Sequence, residues 1–500
     1  MKRGICYIVG AGPGDPGLLT LKGRDCLSIA DVVVYDYLAN PELLAHAPDS
    51  AERIYAGKKA GDHAMKQSDT NALLVDRVKA GQTVVRLKGG DPFLFGRGGE
   101  EAEALSSAGC AFEIVPGISS ALAGPACAGI PVTHRAHNAA LTIFTGHEDP
   151  TKGAETIDYN AIAAMPGTKV MLMGIERLAA HCSALVAAGM NAETPVCLVR
   201  RASTPRQECL EGTLADIAAK AAAANFRAPA VVVIGAVVSL RSSLAWFDNK
   251  PLFGVRVAVT RTRRQAGELL AGLRALGADA YEMPTIRIEP PSDKRAFYEA
   301  VAHAHSYDWL IFTSPNGVDA FFRAFYEIYN DARSIGGVRI AAIGPATAAR
   351  VRSNHLAVDL QPEKYVAEAI LEALKKETTI ENATFLLPRA EGAREMLAQE
   401  LTRAGGIVDE AVAYRTVPET GDPAGGVARF REEGADIITF TSSSTAENFA
   451  ALKLPMPDNL RTASIGPVTS QTLRKLGLPV HMEASTHDIL GLLETIRSHA

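Results

Sequence analysis

Four glycine-rich or proline-gated turns follow apolar runs in the first half of the chain: "GAGPGDPG" (10–17), "KGGDPFLFGRGG" (88–99), "VPGISSALAG" (115–124) and "TGHE" (145–148). Glycine lets a backbone come close to a ligand because no Cβ intervenes. Parallel strands would deliver such turns to one sheet edge, where ligands bind beyond the carboxyl ends. Gly10 and Gly12 fit the dinucleotide fingerprint G-x-G-x-x-G, but Asp15 stands where the third glycine belongs and Pro13 removes an amide donor. The motif is a near miss. Asp36, closing "DVVVYD", lies close to the roughly 20-residue spacing of a ribose-binding acid. It is equally a strand-end Asp that could bond its own turn.

In the second half the chemistry-bearing residues sit just before helix-like segments. Thr313-Ser314, Gly344-Pro345-Ala346-Thr347, Pro388-Arg389, Thr441-Ser442-Ser443 and Gly466-Pro467-Val468-Thr469 are turns of this kind. Free amides and hydroxyls at helix N-termini suit carboxylates without burying many cations. The same residues also make ordinary N-caps. Arg261, Arg263 and Arg264 in "VTRTRRQAGELL" follow a strand and open a helix, as anion ligands or as a solvated basic turn. Tyr414 in "VAYRTV" offers a phenol, or half-buried packing on a strand.

Alternating strand-like and helix-like segments must position these residues, which predicts α/β layers with largely parallel strands. The segment "SDTNALLVDRVKAG" (68–81) reads as a helix started by Ser68 and ended by Gly81. The pattern breaks at "WFDNKPLFG" (246–254), which marks a boundary. Beyond it an internal repeat appears: "FTSPNGVDAFF" (312–322) resembles "FTSSSTAENFA" (440–450), and the stretch from Arg339 resembles that from Arg461. Two copies imply two similar lobes facing a ligand cleft rather than a solenoid.

Five hundred residues at 47% hydrophobic and 21% charged describe a globular chain of two to four domains. A net charge of −5 without a dense Lys/Arg tract argues against nucleic acid as a partner. No apolar run reaches the ~18 residues of a membrane span, and "MKRGICYIVG" enters a strand rather than a signal-peptide core. A cytoplasmic protein is expected. The 7 cysteines lie singly in apolar stretches, all before residue 210, and read as reduced core residues with no metal site.

As a set, the turns of the first half resemble the tetrapyrrole methylase family, and most closely its uroporphyrinogen-III C-methyltransferase branch. The likeness runs from about residue 4 to 247 through "VVYD", "AGKKAG", "VVRLKGGDPFLFGRGGEE", "VPGISSALA", "GIPVTHR" and "PAVVVIGAVVSLR". The resemblance implies a two-lobed α/β fold with S-adenosylmethionine held between the lobes. The implied reaction moves two methyl groups onto uroporphyrinogen III, giving precorrin-2 and S-adenosylhomocysteine. By position in the family motifs, Pro13, Gly89, Gly90, Asp91, Leu94, Ser119, Ser120, Met173 and Ala202 contact the cofactor. Ser119-Ser120 replaces the Thr-Ala of some relatives, and Ala202 stands where some carry glycine. Asp36 takes the place of the family's proton acceptor and Lys58 that of its proton donor, while Arg86, Arg97, His134 and Arg135 would clamp substrate carboxylates.

From about 253 to 500 the chain resembles the uroporphyrinogen-III synthase family, carried by "FTSPNGVDAF", "IAAIGPATA", "FLLPRAEGAREML", "VAYRTV", "ITFTSSSTAENF" and "ASIGPVTSQTL". That family closes hydroxymethylbilane to uroporphyrinogen III while inverting the last ring. The resemblance makes Tyr414 the phenol that assists departure of the hydroxyl. Arg261, Thr313, Ser314, Gly344, Thr347, Arg389, Thr441, Ser442 and Thr469 become substrate contacts. The expected organisation is a methyltransferase domain over 1–247, a linker over 248–253 and a synthase domain over 254–500, whose second lobe, roughly 288–416, is inserted in the first. A homodimer through the methyltransferase domain follows from the family. The competing reading is a dinucleotide-dependent oxidoreductase fused to a tetrapyrrole-binding sensor.

Overall fold

The computed structural model describes residues 4–57, 65–147, 157–261, 263–362, 367–393, 395–422, 425–457 and 459–499. The chain divides into two compact units. One comprises Met1–Val257 with Ala271–Ala280 and Arg497–Ala500, the other Ala258–Leu270 with Tyr281–Ile496.

The apolar runs of the first unit become strands. β1 (Ile5–Gly10), β2 (Val32–Tyr35), β3 (Glu52–Tyr55), β4 (Thr83–Lys88) and β5 (Ala111–Val115) form one sheet in the order β3-β2-β4-β1-β5. All its pairings are parallel. Side chains alternate between its faces: Val9, Val33, Val85 and Leu87 pack with Leu27 and Leu43 on one side, while Cys6, Ile8, Val32, Val34 and Val84 pack with Leu74, Val78 and Leu105 on the other. The second group of packing residues comes from α2 (Gln67–Lys79) and α3 (Gly98–Ser107). β4 is buried along its whole length, as the middle strand of a parallel sheet should be.

The helix expected from Ser68 begins at Gln67 instead, and Ser68 bonds Asp69 rather than capping the first turn. Its end agrees with expectation, because Gly81 has φ +83° and closes onto the Val78 carbonyl.

A second sheet in the same unit contains β6 (Leu141–Thr145), β7 (Thr168–Leu172), β8 (Pro195–Arg200), β9 (Glu208–Thr213) and β10 (Ala230–Ile234), ordered β6-β7-β10-β8-β9. Here the expectation of parallel strands fails: only β6 and β7 run parallel, and β10 is antiparallel to both neighbours. The short link from Arg200 to Glu208 explains the antiparallel β8 and β9, since a parallel crossover needs a dozen or more residues.

The second half of the chain also carries two sheets. The chain supplies β11 (Arg256–Val259), β12 (Asp279–Glu282), β13 (Ile286–Glu289), β14 (Trp309–Phe312), β15 (Arg339–Ala342), β16 (Thr384–Ala390), β17 (Ile407–Pro418), β18 (Ile437–Phe440), β19 (Arg461–Ser464) and β20 (Met482–Glu483). Strands β13 to β17 make one sheet, ordered β13-β17-β16-β14-β15, and the strands before and after them in sequence make the other, ordered β12-β11-β18-β19-β20. The repeated motifs occupy equivalent places: each Phe-Thr-Ser turn follows β14 or β18, and each Ile-Gly-Pro turn follows β15 or β19.

An aromatic cluster of Phe312, Phe321, Phe322 and Phe325 packs the inner face of β14. Phe321→Ala is expected to cost the second unit about 3–5 kcal/mol, because the cavity left by a fully buried ring cannot close. Denaturant titration followed by the fluorescence of buried Trp309, in a Trp246→Phe background, measures it. All 7 cysteines are free; five are buried, whereas Cys110 and Cys209, expected in the core, are half-buried.

Candidate active sites

Parallel pairing brings the carboxyl ends of β1, β2, β4 and β5 to one edge of the first sheet, and with them three of the four turns. The turns meet backbone to backbone. Gly12 and Gly90 exchange hydrogen bonds, 3.2 Å from the Gly12 amide and 2.7 Å from the Gly90 amide. A Cβ on Gly117 would lie 2.3 Å from the Gly90 oxygen and 2.6 Å from the Gly10 Cα, so this contact admits glycine alone. Asp91 fastens the same junction: Oδ2 accepts from the Gly117 amide at 3.1 Å, and Oδ1 from the amides of Phe93 and Leu94 at 2.8 and 3.1 Å.

Ser119 caps α4 (Ser120–Cys127) by accepting from the Ala121 amide, and α4 lays Ala121 against Val170, Val199 and Ala202 of the second lobe. The first turn also reaches that lobe, where the Asp15 amide donates to Ser203 Oγ at 3.1 Å. Pro13, Gly89, Gly90, Asp91, Leu94, Ser119, Ser120 and Ala202 are thus held on connected segments. Of the "TGHE" turn, Thr145 ends β6 and so belongs to the second sheet, because β6 pairs with β7, while Glu148 lies outside the described residues. Met173 follows β7, half exposed with φ +57°. Phe95, Arg97, Arg201 and Ser203 share its left-handed backbone, which only a constraining surround maintains in such residues.

After the first turn the chain enters a short 3-10 turn, Pro16–Leu18, and α1 (Leu21–Ser28) starts only at Leu21 under a Thr20 cap. A dinucleotide turn would aim its helix at a pyrophosphate straight away. This one does not.

Asp36 does two things at once. Its Oδ1 accepts from the Leu38 and Gly89 amides at 3.1 and 3.4 Å, as a turn-bonding Asp would, and Oδ2 lies 3.5 Å from the Arg86 guanidinium. A quarter of the side chain remains exposed. Arg86 itself corrects the substrate-clamp expectation. It is 5% exposed inside β4, bonded to Glu101 and to the Val34 and Leu87 carbonyls, so its guanidinium is committed to the interior. Arg97 is exposed and paired with Glu100, and His134 and Arg135 lie in an exposed turn held by Asn138. Lys58 lies outside the described residues.

In the second unit, Ser314 caps the helix Pro315–Ile328 through the Gly317 amide, and its Oγ sits 3.0 Å from the Tyr414 hydroxyl. Burial raises the Tyr414 pKa, while hydrogen bonds from Ser314 and Asn316 oppose the shift, so the phenol keeps its proton at neutral pH. Tyr414 and Asn316 line a cavity of about 280 Å³ with Arg287, Glu289, Asp319 and Arg323. Asn316 stood in the quoted "FTSPNGVDAF", but nothing local distinguished it from a helix-start residue.

Ser442 caps Ser443–Ala451 in a capping box with Thr445, and Gly344 opens Pro345–Arg352. Thr313 and Thr441 directly precede the Ser314 and Ser442 caps. Thr347 and Thr469 are buried within their helices, and burial lowers the Arg261 pKa. Arg389 is a second correction: its guanidinium pairs with Glu410 and donates to the Ala393 carbonyl, with 11% of the side chain exposed. It braces β16 against β17. Among the described residues no three His, Cys, Asp or Glu side chains gather as a metal site.

Residues 6–218 match the family model of the tetrapyrrole (corrin/porphyrin) methylases, and residues 267–494 that of uroporphyrinogen-III synthase HemD. The porphyrin biosynthesis protein HemD of Ruminiclostridium josui is 36% identical over 98% of this chain and 97% of its own. A uroporphyrinogen-III C-methyltransferase of Bacillus subtilis is 40% identical over 73% of this chain and 74% of its own. An S-adenosyl-L-methionine-dependent uroporphyrinogen III methyltransferase of Methanosarcina barkeri is 49% identical over 48% of this chain and 94% of its own. The chain therefore belongs to the tetrapyrrole methylases in its first half and to the uroporphyrinogen-III synthases in its second, fused in one polypeptide.

Proposed function

We propose that this chain cyclises hydroxymethylbilane to uroporphyrinogen III, with ring inversion, and then methylates that product twice with S-adenosylmethionine to give precorrin-2. The observation that carries the reading is the near full-length match to a porphyrin biosynthesis protein, in a chain whose glycine turns interlock at one sheet edge. The methyltransferase domain is assigned to 1–247, the linker to 248–253 and the synthase to 254–500. One polypeptide keeps an oxidisable intermediate near its next site by raising effective concentration. A homodimer is carried over from the family, and a cytoplasmic location from the sequence reading; no described helix is long and apolar enough to cross a membrane.

The edge residues fit S-adenosylmethionine. A Cβ on Gly90 would meet Ser119 Cα and Ser120 N at 3.9 Å, ordinary van der Waals contact, so the glycine leaves a cradle there that a side chain would fill. When bound, the cofactor supplies an electrophilic methyl group on a sulfonium. The interlocked turns position it and exclude water, which is most of what an in-line displacement needs. A pyrrole carbon that takes the methyl leaves its ring with an excess proton, and Asp36 Oδ2 accepts it.

In the synthase half, Tyr414 donates to the departing hydroxyl of hydroxymethylbilane. Tyr414→Phe is expected to slow cyclisation about tenfold, the size of one lost hydrogen bond, with more un-inverted ring product. Isomer analysis of the tetrapyrroles reads it. Incubating the purified chain with hydroxymethylbilane and S-adenosylmethionine tests the whole assignment. A dimethylated product with released S-adenosylhomocysteine is expected, and its absence sinks the reading.

A further inference from the structure

Parallel to the exposed edge, a charge cluster lies inside the first lobe. Glu101 of α3 is fully buried, and its Oε1 accepts from Arg86 Nε at 3.0 Å, Lys88 Nζ at 2.9 Å and Gln67 Nε2 at 3.2 Å. Its Oε2 is buried with no hydrogen-bond partner among the described residues. A buried carboxylate with an orphan oxygen costs stability, and apolar residues could join β4 to α3 more cheaply. The cluster also has an outlet. The Arg86 guanidinium spans two carboxylates, holding Glu101 at 3.0 Å and reaching Asp36 at 3.5 Å.

We propose that Glu101 is a positioning residue for methyl transfer: it takes up the Arg86 guanidinium, so that Asp36 is oriented by that cation without being bound tightly by it. The inference rests on Asp36 being the proton acceptor of the proposed reaction. A guanidinium shared this way leaves Asp36 with its two turn amides, the Arg86 guanidinium at 3.5 Å and the charge of the Lys88 ammonium. With the Glu101 charge gone, Arg86 closes on Asp36 and draws its carboxylate off the turn and out of position for the pyrrole. The other titratable groups around the pair are Lys88 of β4, Tyr55 of β3, Tyr35 and Tyr37 beside Asp36, and Cys6 of β1. Burial raises the Cys6 pKa to about 12, so the thiol stays neutral and does not replace Glu101 as a counter-charge, and Lys88, whose pKa burial lowers, carries no negative charge in either form.

Glu101→Gln preserves shape and removes the charge. In the full chain, kcat for methyl transfer should fall about tenfold, while KM for S-adenosylmethionine, S-adenosylhomocysteine affinity and cyclisation stay within about twofold. The double variant Lys88→Met with Glu101→Gln removes one charge of each sign, which relieves the folding burden, and it should show the same loss in kcat. Wild-type kcat in either folded variant overturns the proposal. So does loss of S-adenosylhomocysteine affinity in both, which would make Glu101 a scaffold residue only. Asp36→Asn, measured alongside, separates the two layers: if it loses methylation while Glu101→Gln does not, the Glu101 role alone falls. If Asp36→Asn keeps wild-type kcat, the Asp36 reading falls and takes this one with it.

Discussion

Asp36→Ala abolishes methylation and leaves cyclisation of hydroxymethylbilane intact. The expected loss is ~10²–10⁴-fold, the usual contribution of a positioned general base. The fused chain supplies its own control, because cyclisation is assigned to the synthase half. A purely structural role predicts something else. Asp36 Oδ1 satisfies the Leu38 and Gly89 amides, and stranding them would cost ~1–3 kcal/mol and loosen the turn. Asp36→Asn separates the alternatives, since its carboxamide oxygen can still accept from both amides but no longer carries the charge. Methyl transfer from labelled S-adenosylmethionine, with S-adenosylhomocysteine affinity by calorimetry, gives both readings. Retained methylation in the alanine variant removes Asp36 from its role.

Gly117→Ala is expected to be as damaging for a different reason. The added methyl would sit 2.3 Å from the Gly90 oxygen and 2.6 Å from the Gly10 Cα, and neither backbone can move away without breaking the Gly12–Gly90 exchange. Three strand-end turns would be driven apart together. Because a misplacement of about 1 Å costs roughly 10²-fold in a positioning reaction, methylation should fall at least that far and S-adenosylhomocysteine binding should weaken in step. Gly99→Ala is the matched control, since nothing lies within 4 Å of its added Cβ. Equal loss in the two variants would show that the interlocked turns do not build the site.

Reading Arg86 as a clamp shows where local sequence runs out. In "VVRLKGGD" an arginine two residues from a glycine turn looks like a ligand for anions. It lies instead on the face of β4 that α2 and α3 cover, and its counter-charge, Glu101, comes from another element. Arg389 repeats the lesson with Glu410 of the neighbouring strand. The antiparallel second sheet was hidden for a related reason. A buried strand of either kind can be a continuous apolar run, as β10 is, and the short Arg200–Glu208 link marks only the β8–β9 pair as antiparallel.

What the residues determined unaided was of short range, and even there the cap expected of Ser68 failed. Strand and helix type followed from periodicity, the turns from glycine and proline, and the two-lobed second half from its own repeat, while the chemistry came from the family resemblance that the motifs carry. Tertiary structure alone decided which charges face inward, which turns touch, and which direction each strand runs. Those depend on partners tens to hundreds of residues away, and a buried charge looks like an exposed one until its partner arrives.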